Sequence, residues 1–249
     1  MNTTVSNAMS NVTTHQNDLG QIIGFPMPDW KPPAMPSADS IDGRFCRLER
    51  LVPAHAASLY AANSADAAGA MWTYLPYGPF NSPELYSTWV EEMSRRSDPW
   101  LYAIIDKATG RATGIAGYLR IDAANGSIEV GHVACSPLLQ RTPAATEAMY
   151  LLMAGAFDLG YRRYEWKCDA LNAASRAAAR RLGFSFEGIF RQVVVVKGRN
   201  RDTAWHSIID REWPAQRAAF LRWLDPRNFD QEGKQRMRLS ALNTSTRDL

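Results

Sequence analysis

A short turn at the start of a helix is the segment of this sequence best suited to binding a charged ligand. Residues 137–145 are PLLQRTPAA, in which Thr142 suits a helix N-cap and Pro143 suits the first helical position. A strand that leads through a turn into a helix directs free backbone N–H groups and the helix dipole at one place. With Arg141 as a charge partner, the turn is predicted to bind an anion such as a pyrophosphate, although many capped helix starts bind nothing.

Side chains that could move a proton lie just before this turn. Glu129 and His132 belong to the strand predicted over residues 127–135, and both are candidate general bases. Strict alternation along a strand places 129 and 132 on opposite faces, so only a β-bulge would bring them together. The alternatives are an exposed strand-edge carboxylate for Glu129 and a hydrogen-bonded interior histidine for His132. Asp202 and His206 are weaker candidates for the same role.

The three cysteines, Cys46, Cys135 and Cys168, show neither a disulfide pattern nor the spacing of metal ligands. We therefore expect reduced thiols, a cytoplasmic location and no bound metal. Cys135 adjoins the turn, but without a placed histidine partner a buried structural thiol is favoured over a nucleophile.

Composition excludes some classes of protein. Net charge is +3, from 28 basic and 25 acidic residues, which indicates neither nucleic acid nor a membrane surface as a partner. No apolar run is long enough to span a membrane, and no signal peptide is evident. The sequence is compatible with a homodimer.

The order of predicted elements defines the fold class. Strands over 44–51, 100–105, 113–121 and 127–135 precede a helix from Thr142, a strand over 161–168, a helix over 172–181 and a hairpin over 186–209. This order predicts an α/β (α+β) fold with a mixed, mostly antiparallel central sheet and helices on both faces. Residues 1–42 are predicted to be a disordered tail and proline-rich arm, 43–225 the folded domain, and 226–249 a flexible tail.

Three segments together carry a family resemblance. They are EVGHVACSPLLQRTPAATEA (129–148), NAASRAAARRLGFSFEG (172–188) and the arginine-rich run from Arg191 to Asp202. At this spacing the chain resembles the GNAT superfamily of N-acetyltransferases, in particular its RimJ/RimL-like branch, over roughly residues 43–215. The resemblance implies transfer of an acetyl group from acetyl-CoA to a primary amine, on a small molecule or a protein N-terminus.

The resemblance also implies roles for particular residues. Backbone groups of Val133 and Cys135 would lie beside the pantetheine arm, with an N–H near Val133 or Ala134 polarising the thioester oxygen. Asn172 would contact the pantetheine, Ser175 would lie near the sulfur, and Arg176 would reach the adenosine phosphate. The pyrophosphate would be held by Gln140, Arg141, Thr142, Pro143, Ala144 and Ala145.

This sequence departs from the family pattern at three places. Pro143 replaces the first glycine of the turn and removes an N–H donor. Ala179 stands where many relatives carry a general-acid tyrosine, which leaves Ser175 or a water to protonate the thiolate. Residues 193–196 are all valine, so no carboxylate base lies there. Three alternatives therefore stay open: a catalytically silent CoA-binding module, transfer of a larger acyl group such as succinyl, and, least favoured, an interaction protein.

Overall fold

The computed structural model describes residues 14–243, which fall into two units. In the first unit, residues 14–32, strands β1 (Thr14–Gln16) and β2 (Ile22–Gly24) form an antiparallel hairpin. The segment 1–13 of the predicted N-terminal tail lies outside the described residues. The second unit begins at Pro33 and holds every other element.

The second unit is built from eight strands and six α-helices. The strands are β3 (Ser40–Asp42), β4 (Cys46–Arg50), β5 (Trp100–Asp106), β6 (Arg111–Asp122), β7 (Ser127–Cys135), β8 (Arg163–Asp169), β9 (Ser185–Val196) and β10 (Arg199–Ile209). The helices are α1 (Ala56–Asn63), α2 (Pro83–Ser94), α3 (Pro143–Asp158), α4 (Ala173–Arg181), α5 (Trp213–Leu224) and α6 (Leu239–Asn243).

All eight strands belong to one sheet, in the order β3-β4-β5-β6-β7-β8-β10-β9. Every neighbouring pair is antiparallel except β7 and β8, which are parallel. The crossover that makes this pair parallel is α3, because parallel neighbours need a connection that returns across the sheet. The predicted mixed, mostly antiparallel sheet is therefore confirmed.

The two faces of the sheet bury separate apolar clusters. Along β5, Tyr102 and Ile104 face one cluster, while Leu101, Ala103 and Ile105 face the other, as strand alternation requires. The first cluster contains the apolar sides of α3, α5 and α6, and the second contains those of α1 and α2. Helices therefore cover both faces, and we call these the α3 face and the α1 face.

Both ends of the predicted domain differ from the structure. At the N-terminal side, β3 (Ser40–Asp42) already pairs with β4, so the sheet begins before residue 43. At the C-terminal side, Leu239 is fully buried in the core of the α3 face, and Trp223 Nε1 donates to Gln235 Oε1 at 2.7 Å. The flexible tail predicted from residue 226 is thus packed as far as residue 243, because a few apolar side chains in a polar segment cover α5.

In the part of the chain that the structure describes, no helix has the length and apolar character needed to cross a membrane. Residues 14–243 also contain no group of three or more His, Cys, Asp or Glu side chains placed to hold a metal ion.

Candidate active site

A gap opens in the sheet where β7 and β8 separate. The two parallel strands pair from Ser127 opposite Arg163 to Val130 opposite Trp166, and the ladder ends there. Beyond this point residues 131–135 of β7 stay paired with β6, but in the described part of the chain their other edge has no strand partner. Apart from the Cys135 carbonyl, which accepts from Gln140 Nε2, backbone N–H and C=O groups on that edge can bond a ligand, since an unpaired strand edge offers both.

A β-bulge lies on β7 beside the gap. Ile115 is opposite Ala134 and Gly117 is opposite Gly131, so β7 carries one residue more than β6 in this stretch. His132 occupies the bulge with φ 51°, in the left-handed region. The bulge resets the alternation: Ala134 packs in the cluster of the α1 face, whereas Val133 and Cys135 pack against that of the α3 face.

The bulge brings the two candidate bases to one side of the sheet. His132 stacks on Tyr77, with ring centroids 5.6 Å apart and planes 7° from parallel, and Tyr77 packs against the cluster of the α1 face. Ile128 and Val130 face the α3 cluster, so Glu129 between them also lies on the α1 face. The β-bulge required to bring these two side chains together is therefore present, and it breaks the strict alternation at this position.

Glu129 is a buried, ion-paired carboxylate. Its exposed fraction is 3%. Arg120 Nη1 donates to both of its oxygens at 2.8 Å, and Lys167 Nζ lies 3.0 Å from Oε2. Burial raises the pKa of Glu129, and the two cations partly oppose that rise. The alternative of an exposed strand-edge carboxylate is therefore wrong.

The ion pairs of Glu129 continue across three strands. Lys167 Nζ also lies 2.7 Å from Glu165 Oε2, and Arg163 Nε lies 2.6 Å from Glu165 Oε1. Lys167 Nζ sits 3.7 Å from the centroid of the Trp205 ring, a cation–π contact. Neither Lys167 nor Trp205 was predicted as a site residue from the sequence. Lys167 on β8 lies directly opposite Trp205 on β10, and this contact can be predicted only once the pairing of the two strands is known.

His132 is a largely buried imidazole. Its Nδ1 lies 3.3 Å from the Tyr77 hydroxyl. Burial, with the nearby Arg120 and Arg96 cations, lowers the pKa of His132 to about 4. The ring is therefore neutral at pH 7, with a nitrogen lone pair able to accept a hydrogen bond.

The turn before α3 has the predicted N-cap. Thr142 Oγ1 accepts a hydrogen bond from the Ala145 N–H at 3.2 Å, and Pro143 is the first helical residue. Arg141 adopts φ 61°, which turns the chain into the helix. Gln140 Nε2 donates to the Cys135 carbonyl at 2.9 Å, so that side chain holds the turn against the end of β7.

This turn has groups suited to an anionic ligand. The first-turn N–H of Ala144 has no intrahelical acceptor, because the opening turn of any helix lacks one. The hydroxyl of Ser136, just before the turn, is fully buried and has no hydrogen-bond partner within residues 14–243. A buried polar group without a partner is costly, and a ligand bound here would remove that cost.

The start of α4 faces the same gap from the side of β8. Asn172 Oδ1 accepts from the Ser175 N–H at 3.0 Å, and Trp166 Nε1 donates to Ser175 Oγ at 3.0 Å. Since that oxygen accepts from Trp166, its own hydrogen is left to donate. Arg176 Nη1 donates to the Ala170 carbonyl at 3.3 Å, and its guanidinium lies 5.6 Å from the Phe186 ring centroid.

Two other candidates have different surroundings. Cys135 is enclosed by apolar groups, and burial raises the pKa of its thiol to about 11, so it is not poised as a nucleophile. Asp202 Oδ1 accepts from the Gln192 N–H at 2.7 Å and from Asn200 Nδ2 at 3.0 Å, so it holds a bulge of β9. His206 is buried 5.3 Å from Phe186, measured between ring centroids.

The fold and the site together define a class of protein. A mixed sheet whose parallel central strands part beside two helix N-termini can hold a long anionic ligand against unpaired backbone. The α1 face of the sheet, where His132 stacks on Tyr77, can admit a second molecule. That arrangement is suited to a two-substrate transferase.

Comparison with known proteins identifies the family. Residues 46–185 match the acetyltransferase (GNAT) domain family. This match covers more than half of the chain, and the chain belongs to that family. The prediction of an acetyl-CoA-dependent N-acetyltransferase of the GNAT superfamily is confirmed at this level.

Two solved structures and one curated protein are similar over much of their length. A GCN5-related N-acetyltransferase from Brucella melitensis is 46% identical, with a TM-score of 0.86, over 88% of this chain and 100% of that one. A probable GNAT-family acetyltransferase from Chromobacterium violaceum is 44% identical, with a TM-score of 0.73, over 78% of this chain and 98% of that one. An uncharacterized N-acetyltransferase p20 from Bacillus licheniformis is 27% identical over 50% of this chain and 70% of its own length.

Proposed function

We propose that this enzyme transfers an acetyl group from acetyl-CoA to a primary amine by direct attack of the amine on the thioester. The separation of β7 from β8 after Val130 and Trp166 is the observation that carries this proposal. It leaves an unpaired backbone edge beside the N-termini of α3 and α4, long enough for an extended thioester arm. The RimJ/RimL-like branch and an acceptor that is a small amine or a protein N-terminus are part of the same proposal.

The turn from Gln140 to Ala145 would hold the pyrophosphate. Its support is the N-cap at Thr142, the positive end of the α3 dipole and the charge of Arg141. The unpaired edge at Val133 and Cys135 would hold the pantetheine, and Asn172 and Arg176 would contact the same ligand from α4. Pro143 contributes no N–H and the Ala145 N–H already donates to Thr142 Oγ1, so in this turn the free helical donor is the Ala144 N–H.

The reaction breaks one bond and forms another. The nitrogen lone pair attacks the thioester carbonyl carbon, the C–S bond breaks, and the products are an N-acetyl amide and CoA. A backbone N–H of Val133 or Ala134 would stabilise the charge that develops on the carbonyl oxygen. Ser175, whose oxygen accepts from Trp166, would donate its hydrogen to the leaving thiolate and take up the proton that the nitrogen loses as the amide forms, directly or through a water.

His132 would orient the amine. With its pKa lowered to about 4, the imidazole is too weak a base to hold a proton from an alkylammonium, but it can accept a hydrogen bond from the neutral amine. Glu129 would act through its ion pairs, holding Lys167 and Arg120 in place behind the site. We also propose a cytoplasmic location, supported by three free cysteines.

The test combines binding and turnover. The purified protein is titrated calorimetrically with acetyl-CoA, and thiol release is then followed against amines and short peptides. We expect binding, with thiol release and acetylated product for at least one acceptor. Ser175→Ala should lower kcat while leaving the acetyl-CoA affinity within about twofold, since hydroxyl donation matters only as the thiolate leaves.

A matched control is Ser94→Ala, which removes an exposed hydroxyl at the end of α2 whose bond is local, to the Glu91 carbonyl. It should leave both binding and turnover unchanged. Binding without thiol release for any acceptor would instead support the silent CoA-binding module. Faster turnover with succinyl-CoA than with acetyl-CoA would support the larger acyl group.

A further inference from the structure

Three residues of β10 carry buried polar atoms that have no hydrogen-bond partner among the described residues. Arg201, Thr203 and Trp205 alternate along this strand and therefore share one face of it. The atoms are Arg201 Nε, Thr203 Oγ1 and Trp205 Nε1, none of which has a hydrogen-bond partner within residues 14–243. Thr203 is 4% exposed. Three such groups in a row point to a ligand, because a buried polar group without a partner is costly.

The three residues lie on the α1 face, near the gap. The contact between Lys167 and Trp205 identifies the face, since Ala204 between Thr203 and Trp205 packs into the α3 cluster. Thr203 is directly opposite Asp169 at the end of β8, beyond the point where β7 leaves. This is the side of the sheet from which His132 faces the site.

A loop bounds this region. Lys197 Nζ, from the β9–β10 turn, donates to the Trp72 carbonyl at 2.8 Å. The Tyr74 hydroxyl donates to the Leu171 carbonyl at 3.4 Å. The segment 70–77 is thus held at both the hairpin tip and the start of α4, with Tyr77 on His132. Segment 70–77 and the β10 residues Arg201, Thr203 and Trp205 therefore both belong to the α1 face beside the gap.

Charge indicates the kind of ligand. Lys167 is neutralised by Glu129 and Glu165. Arg201, by contrast, has no ion pair with a carboxylate among the described residues, and it is partly buried. A guanidinium, a hydroxyl and an indole N–H are all donors, and together they match a carboxylate.

We propose that Arg201, Thr203 and Trp205 bind the carboxylate of the acceptor, so that the acceptor is an amino acid and not a simple amine. This inference rests on the proposed function, because it names the acceptor of the same site. The amine of an amino acid is two bonds from its carboxylate carbon. Anchoring the carboxylate on β10 would therefore direct the amine toward the gap.

The first experiment is calorimetric titration of the CoA-saturated protein with the common L-amino acids, each compared with its carboxamide and its decarboxylated amine. We expect an amino acid to bind at least about tenfold more tightly than either analogue, the size of one lost hydrogen bond to a charged group. The carboxamide distinguishes a free carboxylate from the carbonyl of a peptide. Equal affinities for the three compounds, or no binding by any amino acid, would overturn the proposal.

Variants test the three donors separately. Arg201→Gln, Thr203→Val and Trp205→Phe should each raise KM for the amino acid about 10- to 100-fold, with a smaller effect on kcat and none on acetyl-CoA affinity. Thr203→Ser should restore the wild-type KM. Arg222→Gln, on the exposed side of α5, is the matched control and should change neither constant.

Stability separates binding from a structural role. If the Thr203 hydroxyl serves a ligand, Thr203→Val should melt at or above the wild-type temperature in the absence of ligand, because it removes an unsatisfied buried group. A lower melting temperature with unchanged KM would contradict the proposal. Turnover of simple amines with no carboxylate preference would refute this inference while leaving the proposed transfer intact. Carboxylate-dependent binding without turnover of any acceptor would refute the proposed transfer while leaving the carboxylate site intact.

Discussion

Removal of Lys167 tests the ion-pair network behind the site. Its side chain is 9% exposed and neutralises two carboxylates, Glu129 at 3.0 Å and Glu165 at 2.7 Å. Lys167→Met keeps most of the volume but leaves both carboxylates short of a cation. Breaking a buried pair costs about 3–5 kcal/mol; we expect about 3 kcal/mol here, since Arg120 and Arg163 stay in contact with the two carboxylates.

The pH dependence of that loss has a definite sign. Burial already raises the pKa of Glu129, and removing a cation raises it further. A carboxyl whose folded-state pKa lies above its unfolded value loses stability as pH rises through the folded pKa. The variant should therefore be closer to the wild type at pH 5 than at pH 8.

Urea unfolding of both proteins at pH 5 and pH 8 measures the effect, with the midpoint and the slope m compared. Lys167→Met combined with Glu129→Gln should regain part of the loss at pH 8, because the amide carries no buried charge. Lys234→Met, which removes an exposed lysine of a surface pair with Glu232, is the control and should change the free energy of unfolding little. A loss below about 1 kcal/mol, or one independent of pH, would refute the argument that the network is a buried ion-pair system.

Four further predictions follow from local geometry. Since the pKa of His132 is lowered to about 4, the rise of kcat/KM between pH 6 and 9 should track the pKa of the acceptor amine; a fixed midpoint for acceptors of different pKa would show that an enzyme group titrates instead. Thr142→Ala should cost about 1 kcal/mol in urea unfolding and weaken acetyl-CoA binding, whereas a change in neither would mean that the N-cap is dispensable. Gly117→Ala should destabilise the fold by about 1–3 kcal/mol or more and lower the melting temperature, because the new Cβ would lie 2.2 Å from the Trp100 carbonyl oxygen. An unchanged melting temperature would contradict that packing. Leu239→Ala should cost about 2–5 kcal/mol by the same measurement, and a negligible loss would support a flexible tail from residue 226.

Helix starts were predictable because their causes are local. The Thr142–Pro143 pair and the Asn172 cap each make their hydrogen bond within three residues of their own position. The order of strands and helices followed from hydrophobic periodicity for the same reason.

Site details that depend on distant partners were not predictable. The bulge at His132 is a property of the β6–β7 register, and nothing in residues 129–135 alone specifies it. Glu129 looked like an exposed carboxylate because its cations come from β6 and β8, 9 residues before it and 38 after it in this numbering.

The sequence by itself determined the class of fold, the capped turn before α3 and the family, because capping, periodicity and motif spacing are short-range properties. Tertiary structure alone decided which charges pair, which face of β10 carries unpartnered donors, and where the polar C-terminal segment packs. Those outcomes depend on strand register and on burial, and both are set by contacts between residues far apart in the chain.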